Sequence, residues 1–286
     1  MTDTGEPGPA GPGRVGTHGG SGHPSCSVWW ATPHEDAGLA DLLDDAERRR
    51  AARLARTADR WAYVTAHALV RLLLAARTGV PAAELRFERT CRRCGSTHHG
   101  KPRLADDLAG EAGPVPFSLA RAGDRIAVAV SDQPGLEVGV DVERVPDPGD
   151  AVLAAAPEVL TTTELATYRR LDGGWRGHAL AVWWARKEAV LKAVGHGLAV
   201  APSTIAVTAP DEALAVIRWS APAAGGTSSA GGAQVPAVRG RAMRPRPGVS
   251  MRDLEAAHGY VGCVAAVGAR SLGVAELDAA PLLGPG

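Results

Sequence analysis

The order of apolar and polar residues over the first half of the chain predicts a mixture of helices and strands. Helical spacing extends over residues 46–56 and 59–78, and Gly79 is placed to end the second helix. The apolar face of that second helix consists of Val64, Leu69, Val70, Leu73 and Leu74. Apolar runs at 27–31, 84–88, 115–119 and 126–131 predict strands between turn-rich loops. We therefore expect an N-terminal α/β half at residues 26–135.

A second α/β half is expected at residues 136–286. Alternating residues from 138 predict a strand, and helical spacing follows at 162–171 and 178–194. Further strands are predicted at 204–207, 215–219 and 261–267. The two halves share an order of elements without clear sequence repetition, so the pattern alone indicates an internal duplication only weakly.

Two segments have compositions that do not favour a packed core. The first 25 residues contain eight Gly and four Pro, which predicts a disordered tail at 1–25. The stretch near 221–248 is rich in Gly, Ala, Ser and Pro, and it follows the strand breaker Pro222. We expect it to be a flexible surface loop of the C-terminal half.

Charge and composition narrow the function classes. The chain has 31 basic and 31 acidic residues, which argues against a general nucleic-acid binder. No apolar run approaches the roughly 18 residues that a membrane span needs, so we expect a soluble cytoplasmic protein without a membrane partner. Four cysteines in 286 residues do not indicate a disulfide scaffold, and Cys26 and Cys263 are interpreted as reduced.

The candidate catalytic and metal-binding residues are concentrated in two segments, residues 139–143 and 184–198. As a strand, the first segment places Asp141 and Glu143 on one face and its valines on the other. As a helix, the second aligns Trp184, Glu188 and Lys192 on one stripe, because residues four apart share a face. Three carboxylates and a lysine suit a magnesium or manganese ion that holds a diphosphate. For either segment alone, the better interpretation would be the solvated face of an edge strand or an ordinary helix ion pair.

Together the two segments resemble the Sfp-type 4'-phosphopantetheinyl transferases. That family has a G-[IV]-D-[IV]-E strand and, about forty residues later, a W-x-x-K-E-A-x-x-K-x-x-G-x-G helix. Both motifs occur here in that order, and the resemblance extends over about residues 27–270. It implies an α+β protein with two α/β sandwich-like halves, which form a pseudo-dimer of similar subdomains around a cleft. A monomer is implied as well.

The resemblance also assigns roles to the acidic residues. Asp141, Glu143 and Glu188 would bind Mg²⁺, or Mn²⁺, against the diphosphate of coenzyme A. Glu188, or a metal-bound water or hydroxide, would help to remove the proton of a carrier serine, and Lys192 would stabilise or protonate the leaving adenosine 3',5'-bisphosphate. Catalysis is thus expected from Asp141, Glu188 and Lys192. The implied acceptors are acyl or peptidyl carrier proteins of polyketide, peptide or fatty-acid assembly, with residues 161–168 as one candidate docking surface.

Basic residues are candidates for binding coenzyme A, because its three phosphates need Arg and Lys donors. Lys101 lies in a G-K-P element of the family, and Arg121 lies in the segment 117–123, which is similar to F-N-L-S-H-S-G. Arg121 replaces the usual histidine, and Ala120 lacks a serine hydroxyl that the family carries. Lys187 and Lys192 are expected near phosphate. Arg53 and Arg56 are chosen from a basic run that is otherwise typical of a solvated helix face.

The sequence leaves open a possible zinc site and two alternative functions. Cys91, Cys94, His98 and His99 offer four zinc ligands, but adjacent histidines rarely reach one ion, so reduced thiols are the favoured interpretation. A metal-dependent phosphohydrolase acting on coenzyme A would use the same carboxylates with water as nucleophile. A non-catalytic module that binds coenzyme A or carriers would retain the fold alone.

Overall fold

The computed structural model describes residues 25–90, 95–97, 100–108, 113–131, 133, 135–195, 200–219, 248–269 and 271–284. The predicted tail and the predicted loop at 221–248 lie outside the described residues, apart from Ser25 and Gly248. The zinc hypothesis also falls outside them, since Cys91, Cys94, His98 and His99 are not described.

The described residues form an α+β fold, as the sequence predicts. The helices are α1 (Ala37–Asp41), α2 (Asp45–Ala52), α3 (Thr57–Thr78), α4 (Ala156–Val159), α5 (Thr162–Arg170), α6 (Gly173–Val194) and α7 (Ala280–Leu283). The strands are β1 (Ser25–Ala31), β2 (Phe87–Arg89), β3 (Pro102–Leu104), β4 (Phe117–Ala122), β5 (Arg125–Ser131), β6 (Glu137–Arg144), β7 (Ile205–Val207), β8 (Val216–Trp219), β9 (Val249–Leu254), β10 (Tyr260–Val267) and β11 (Gly273–Asp278). No described helix is long and apolar enough to cross a membrane.

Two antiparallel-rich sheets form the centre of the fold. The first has the order β11-β1-β5-β4 and the second has the order β6-β10-β9, while β2-β3 and β7-β8 are separate pairs. β11 runs parallel to β1, so the last strand joins the first sheet. The predicted second half at 136–286 includes this segment. No local pattern indicates such a return, because the pairing connects the two ends of the described chain.

Core residues sort the elements into layers. Alternate β5 residues face opposite ways: Ile126 and Val128 pack with α3, whereas Ala127 and Ala129 pack in a cluster shared with β6. That shared cluster also contains Val138, Val140 and Val142 of β6 and Val264 of β10. Cys263 and Ala265, which flank Val264 on β10, face the other way and pack with α6. The layers therefore run from α3 through the two sheets to α6.

The two longest helices end as the sequence predicts. α3 stops at Gly79 and α6 stops at Gly195, and both glycines adopt the left-handed conformation, with φ of 74° and 79°. Glycine has no Cβ to oppose this conformation, so it ends a helix without strain. Trp183 is 1% exposed in the core around α6.

Candidate active site

β6 presents its acidic residues to α6. Val140 and Val142 face the core between the sheets, so the alternating residues Asp141 and Glu143 lie on the opposite face, as predicted. Gly139 lies on the same face as Asp141, where a Cβ atom would come within 2.1 Å of the Ala189 backbone oxygen. The glycine of this motif thus permits close packing of strand and helix backbones.

α6 brings Glu188 and Lys192 to that face. The Lys192 Nζ atom donates to the Asp141 Oδ1 atom at 2.6 Å, and this bond joins the two motifs. Its partners differ in exposure, since the Lys192 side chain is 28% exposed and the Asp141 side chain 7%. Asp141, Glu143, Glu188 and Lys192 are hereafter called the carboxylate cluster. Asp141 and Glu188 are its buried members, whereas Glu143 and Lys192 are partly exposed.

The carboxylate cluster contains more negative charge than the described residues neutralise. Burial raises the pKa of Asp141 despite the nearby Lys192. Burial, together with the charge of Asp141, raises the pKa of Glu143 to about 8 and also raises the pKa of Glu188. Within the described part of the chain, the buried Oδ2 atom of Asp141 and Oε1 atom of Glu188 have no hydrogen-bond partner. Either a proton or an additional cation would offset this charge.

The donor set fits a hard divalent cation. Carboxylate oxygens are the ligands that Mg²⁺ and Mn²⁺ favour, and the two oxygens without partners belong to different elements, β6 and α6. Among the residues that the structure describes, no three His, Cys, Asp or Glu side chains are arranged to hold a metal as they stand. Side-chain movement and oxygen atoms from a substrate would have to complete such a site.

A second feature is a cavity of about 620 Å³ beside α2 and β4. Among the described residues, four arginines line it: Arg50, Arg53, Arg89 and Arg121. We call this cavity the arginine pocket. Two of them, Arg53 and Arg121, are predicted site residues, whereas Arg56 does not line the pocket. Helical spacing is predicted through residue 56, but α2 ends at Ala52 and α3 begins at Thr57.

The arginine pocket also has an aromatic and acidic wall. The Arg121 guanidinium lies 5.6 Å from the centroid of the Tyr63 ring, which is stacked on His67. His67 is 2.9 Å from Glu47, whose other oxygen binds the buried Arg71. Burial opposes ionisation of Glu47, but the bond to His67 and the charges of His67 and Arg71 lower its pKa. The acidic wall is thus already paired, which leaves the arginines to attract an anion.

The predicted phosphate ligands Lys101 and Lys187 have internal partners. The Lys101 Nζ atom donates to the Glu137 Oε2 atom and to the Val138 backbone oxygen, both at 2.7 Å. Lys187 is fully buried, and its Nζ atom donates to Glu164 Oε2 at 2.5 Å. Burial lowers the pKa of Lys187 against the influence of Glu164. Lys101 thus links the start of β3 to β6, and Lys187 links α6 to α5. Binding of a phosphate by either lysine stays a prediction.

The structure brings together four charged residues of the two motifs, Asp141, Glu143, Glu188 and Lys192. The other basic candidates are divided: Arg53 and Arg121 line the pocket, Lys101 and Lys187 form internal pairs, and Arg56 lies outside the pocket. Sequence reasoning missed Arg50 and Arg89 as pocket residues. Arg50 belongs to the basic run, which gave a usable signal. Arg89 reaches the pocket only because β2 pairs with β3, and a short exposed strand of this kind leaves no clear pattern.

The known proteins that this chain resembles are phosphopantetheinyl transferases. Residues 137–232 match the family model of the 4'-phosphopantetheinyl transferase superfamily. The L-aminoadipate-semialdehyde dehydrogenase-phosphopantetheinyl transferases of rat and human are each 26% identical over 179 residues, which cover 61% of this chain. A Synechocystis protein provisionally named 4'-phosphopantetheinyl transferase is 28% identical over 182 residues, which are 64% of this chain and 68% of its own. The match spans about half the length of the mammalian relatives, 55% in each case.

Proposed function

We propose that this chain transfers 4'-phosphopantetheine from coenzyme A to a serine of an apo carrier protein. The premise is the match of residues 137–232 to the family model of the 4'-phosphopantetheinyl transferase superfamily. The observation that carries the proposal is the carboxylate cluster, which lies inside the matched region and, among the residues that the structure describes, has two buried oxygens without hydrogen-bond partners. Glu188 and Lys192 add a candidate base and a candidate cation for the leaving group, which a module that only bound coenzyme A would not need.

The proposed reaction is a phosphoryl transfer. The carrier serine Oγ atom bonds to the β-phosphorus of coenzyme A, and the bond from that phosphorus to the bridging oxygen breaks. The products are the phosphopantetheinyl carrier and adenosine 3',5'-bisphosphate. A bound Mg²⁺ would supply charge neutralisation for the diphosphate, with Asp141, Glu143 and Glu188 as the residues that hold it.

The other tasks fall to side chains of this chain. Glu188 lies beside Asp141 in the carboxylate cluster, and its carboxylate, or a water held by the metal, would accept the serine proton. Lys192 is the partly exposed cation of the cluster and can neutralise charge on the departing bisphosphate. The arginine pocket is proposed to bind the 3'-phosphate end, where Arg121 would act in place of the family's histidine without its dependence on pH.

We also propose that the fold is a pseudo-dimer. In support, each sheet packs against one helix of 22 residues, α3 on the first sheet and α6 on the second. The proposed site lies where β6 of the second sheet adjoins β4 of the first, since the Val140 backbone N–H donates to the Ser118 hydroxyl at 3.1 Å. Coenzyme A would then span both halves.

The proposal is tested by mass spectrometry of a panel of apo carrier proteins after incubation with the chain, coenzyme A and Mg²⁺. A carrier should gain the mass of phosphopantetheine while equimolar adenosine 3',5'-bisphosphate appears. Chelation of the metal, or alanine at the acceptor serine, should prevent both changes. Nucleotide release that does not depend on a carrier would instead indicate a hydrolase. Binding of coenzyme A without any product would indicate a binding module.

A further inference from the structure

Three consecutive charged residues of α6 are buried. Arg186, Lys187 and Glu188 are 1%, 0% and 7% exposed, although each step along a helix turns a side chain by about 100°. Each therefore meets a different part of the fold. Arg186 forms a two-bond pair with Asp253 of β9, Lys187 binds Glu164 of α5, and Glu188 enters the carboxylate cluster.

Glu164 connects Lys187 to the start of α5 and to β7. Its Oε2 atom accepts from the Thr161 backbone N–H at 2.7 Å and from Lys187 Nζ at 2.5 Å, and its Oε1 atom accepts from the Val207 N–H at 3.0 Å. Lys187 Nζ also donates to the Val159 backbone oxygen at 2.7 Å. The end of α4, the start of α5 and β7 thus converge on one face of α6.

This network restricts rotation of α6. A turn of the helix about its axis would pull Lys187 from Glu164, and it would leave two buried charges without partners. The same turn would move Glu188, the next residue, away from Asp141 on β6. Lys187 could reach a substrate phosphate only if its ammonium left the buried carboxylate of Glu164. That movement would leave the Glu164 charge buried without a partner.

We infer that Glu164 and Lys187 form a positioning pair, which fixes the rotation of α6 and thereby the place of Glu188, and that Lys187 does not contact coenzyme A. The inference rests on the proposed function, since it concerns the geometry of the same site. Glu164 acquires a role that neither sequence motif contains. Lys187 stabilises the active arrangement from the side of the helix that faces away from the substrate.

The test compares the variants Lys187→Met and Glu164→Gln with the wild-type chain. Each should lower kcat about 10- to 100-fold, as removal of a residue that supports a metal ligand typically does, and KM for coenzyme A should stay within about twofold. Affinity for Mn²⁺, measured by electron paramagnetic resonance without a carrier, should fall about tenfold in both variants. The double variant should match the worse single variant, because the two residues act as one unit.

Leu180→Ala is the matched control. Leu180 is 2% exposed on the same helix, so its truncation lowers the thermal midpoint without touching the charged network. It should keep kcat and Mn²⁺ affinity within about twofold of wild type. If Lys187→Met proves unstable, the double variant Glu164→Gln and Lys187→Met supplies the same comparison, because it contains no unpaired buried charge.

Two outcomes would overturn the inference. One is a large rise in KM for coenzyme A in Lys187→Met with kcat retained and with Glu164→Gln unaffected, which would make Lys187 a phosphate ligand. The other is a double variant whose kcat loss equals the product of the two single losses. A wild-type chain that modifies no carrier would refute the proposed function instead, and the Mn²⁺ comparison would still decide whether the pair positions Glu188.

Discussion

Substitution of Gly139 by alanine tests the close packing that creates the carboxylate cluster. The added Cβ atom would lie 2.1 Å from the Ala189 backbone oxygen and 2.2 Å from the Ala193 backbone nitrogen, whereas real Cβ contacts are almost never shorter than 3.0 Å. Because both atoms belong to the α6 backbone, β6 and α6 must separate by about 1 Å. A shift of that size would stretch the 2.6 Å bond between Lys192 and Asp141 beyond hydrogen-bonding distance.

The expected cost of Gly139→Ala is about 1–3 kcal/mol of folding free energy, as for other overpacked cores. Carrier modification should fall about 100-fold, because a displacement of 1 Å in catalytic groups has an effect of that order. Initial rates measured with a fluorescent coenzyme A derivative and one apo carrier give the second quantity, and urea denaturation gives the first.

Gly173→Ala is the control for this substitution. A Cβ atom at Gly173 would meet no heavy atom within 4 Å, and the residue starts the same helix. Alanine should leave the rate unchanged and raise stability by up to about 1 kcal/mol. If Gly139→Ala is as active and as stable as Gly173→Ala, then the approach of β6 to α6 does not create the site, and our reasoning fails.

Three further predictions concern single side chains. Asp141→Asn removes an anionic oxygen from the cluster, so transfer measured by mass spectrometry should fall about 100-fold or more, and unchanged transfer would refute its role. Arg121→Ala should weaken binding of coenzyme A in calorimetry about tenfold or more, whereas Arg56→Ala, outside the arginine pocket, should not; equal effects would refute the assignment of the pocket. Burial opposes ionisation of Glu137, yet Lys101 and a neighbouring arginine outweigh it and hold the pKa below its ordinary 4.5. Glu137→Gln should therefore cost about 1.5–3 kcal/mol at pH 7, and the loss should shrink as the pH falls through the lowered pKa; a loss independent of pH between 7 and 3 would contradict this.

Elements with strong local patterns were predictable. The alternation around Asp141 gave the strand β6 and its two faces, and the helical spacing gave α3 and α6 together with their terminal glycines. Glu188 and Lys192 were found by spacing, because residues four apart on a helix share a face whatever the tertiary fold. These features depend on interactions within a few residues.

Features that depend on distant parts of the chain were not predictable. β9 and β11 carry partly exposed, mixed residues, so only their pairing with β10 and β1 makes them strands. The strand expected at 84–88 is instead a 3₁₀ turn at Ala82–Glu84 followed by β2. The partners of Lys101 and Lys187 lie 36 and 23 residues away, and helix spacing alone did not reveal them.

A crystal structure with coenzyme A and Mn²⁺, with anomalous data collected at the manganese absorption edge, tests the central claim most directly. We predict one anomalous peak in contact with oxygens of Asp141, Glu143 and Glu188 and with the diphosphate of coenzyme A. A diphosphate bound elsewhere, or a manganese peak away from these three carboxylates, would contradict the account.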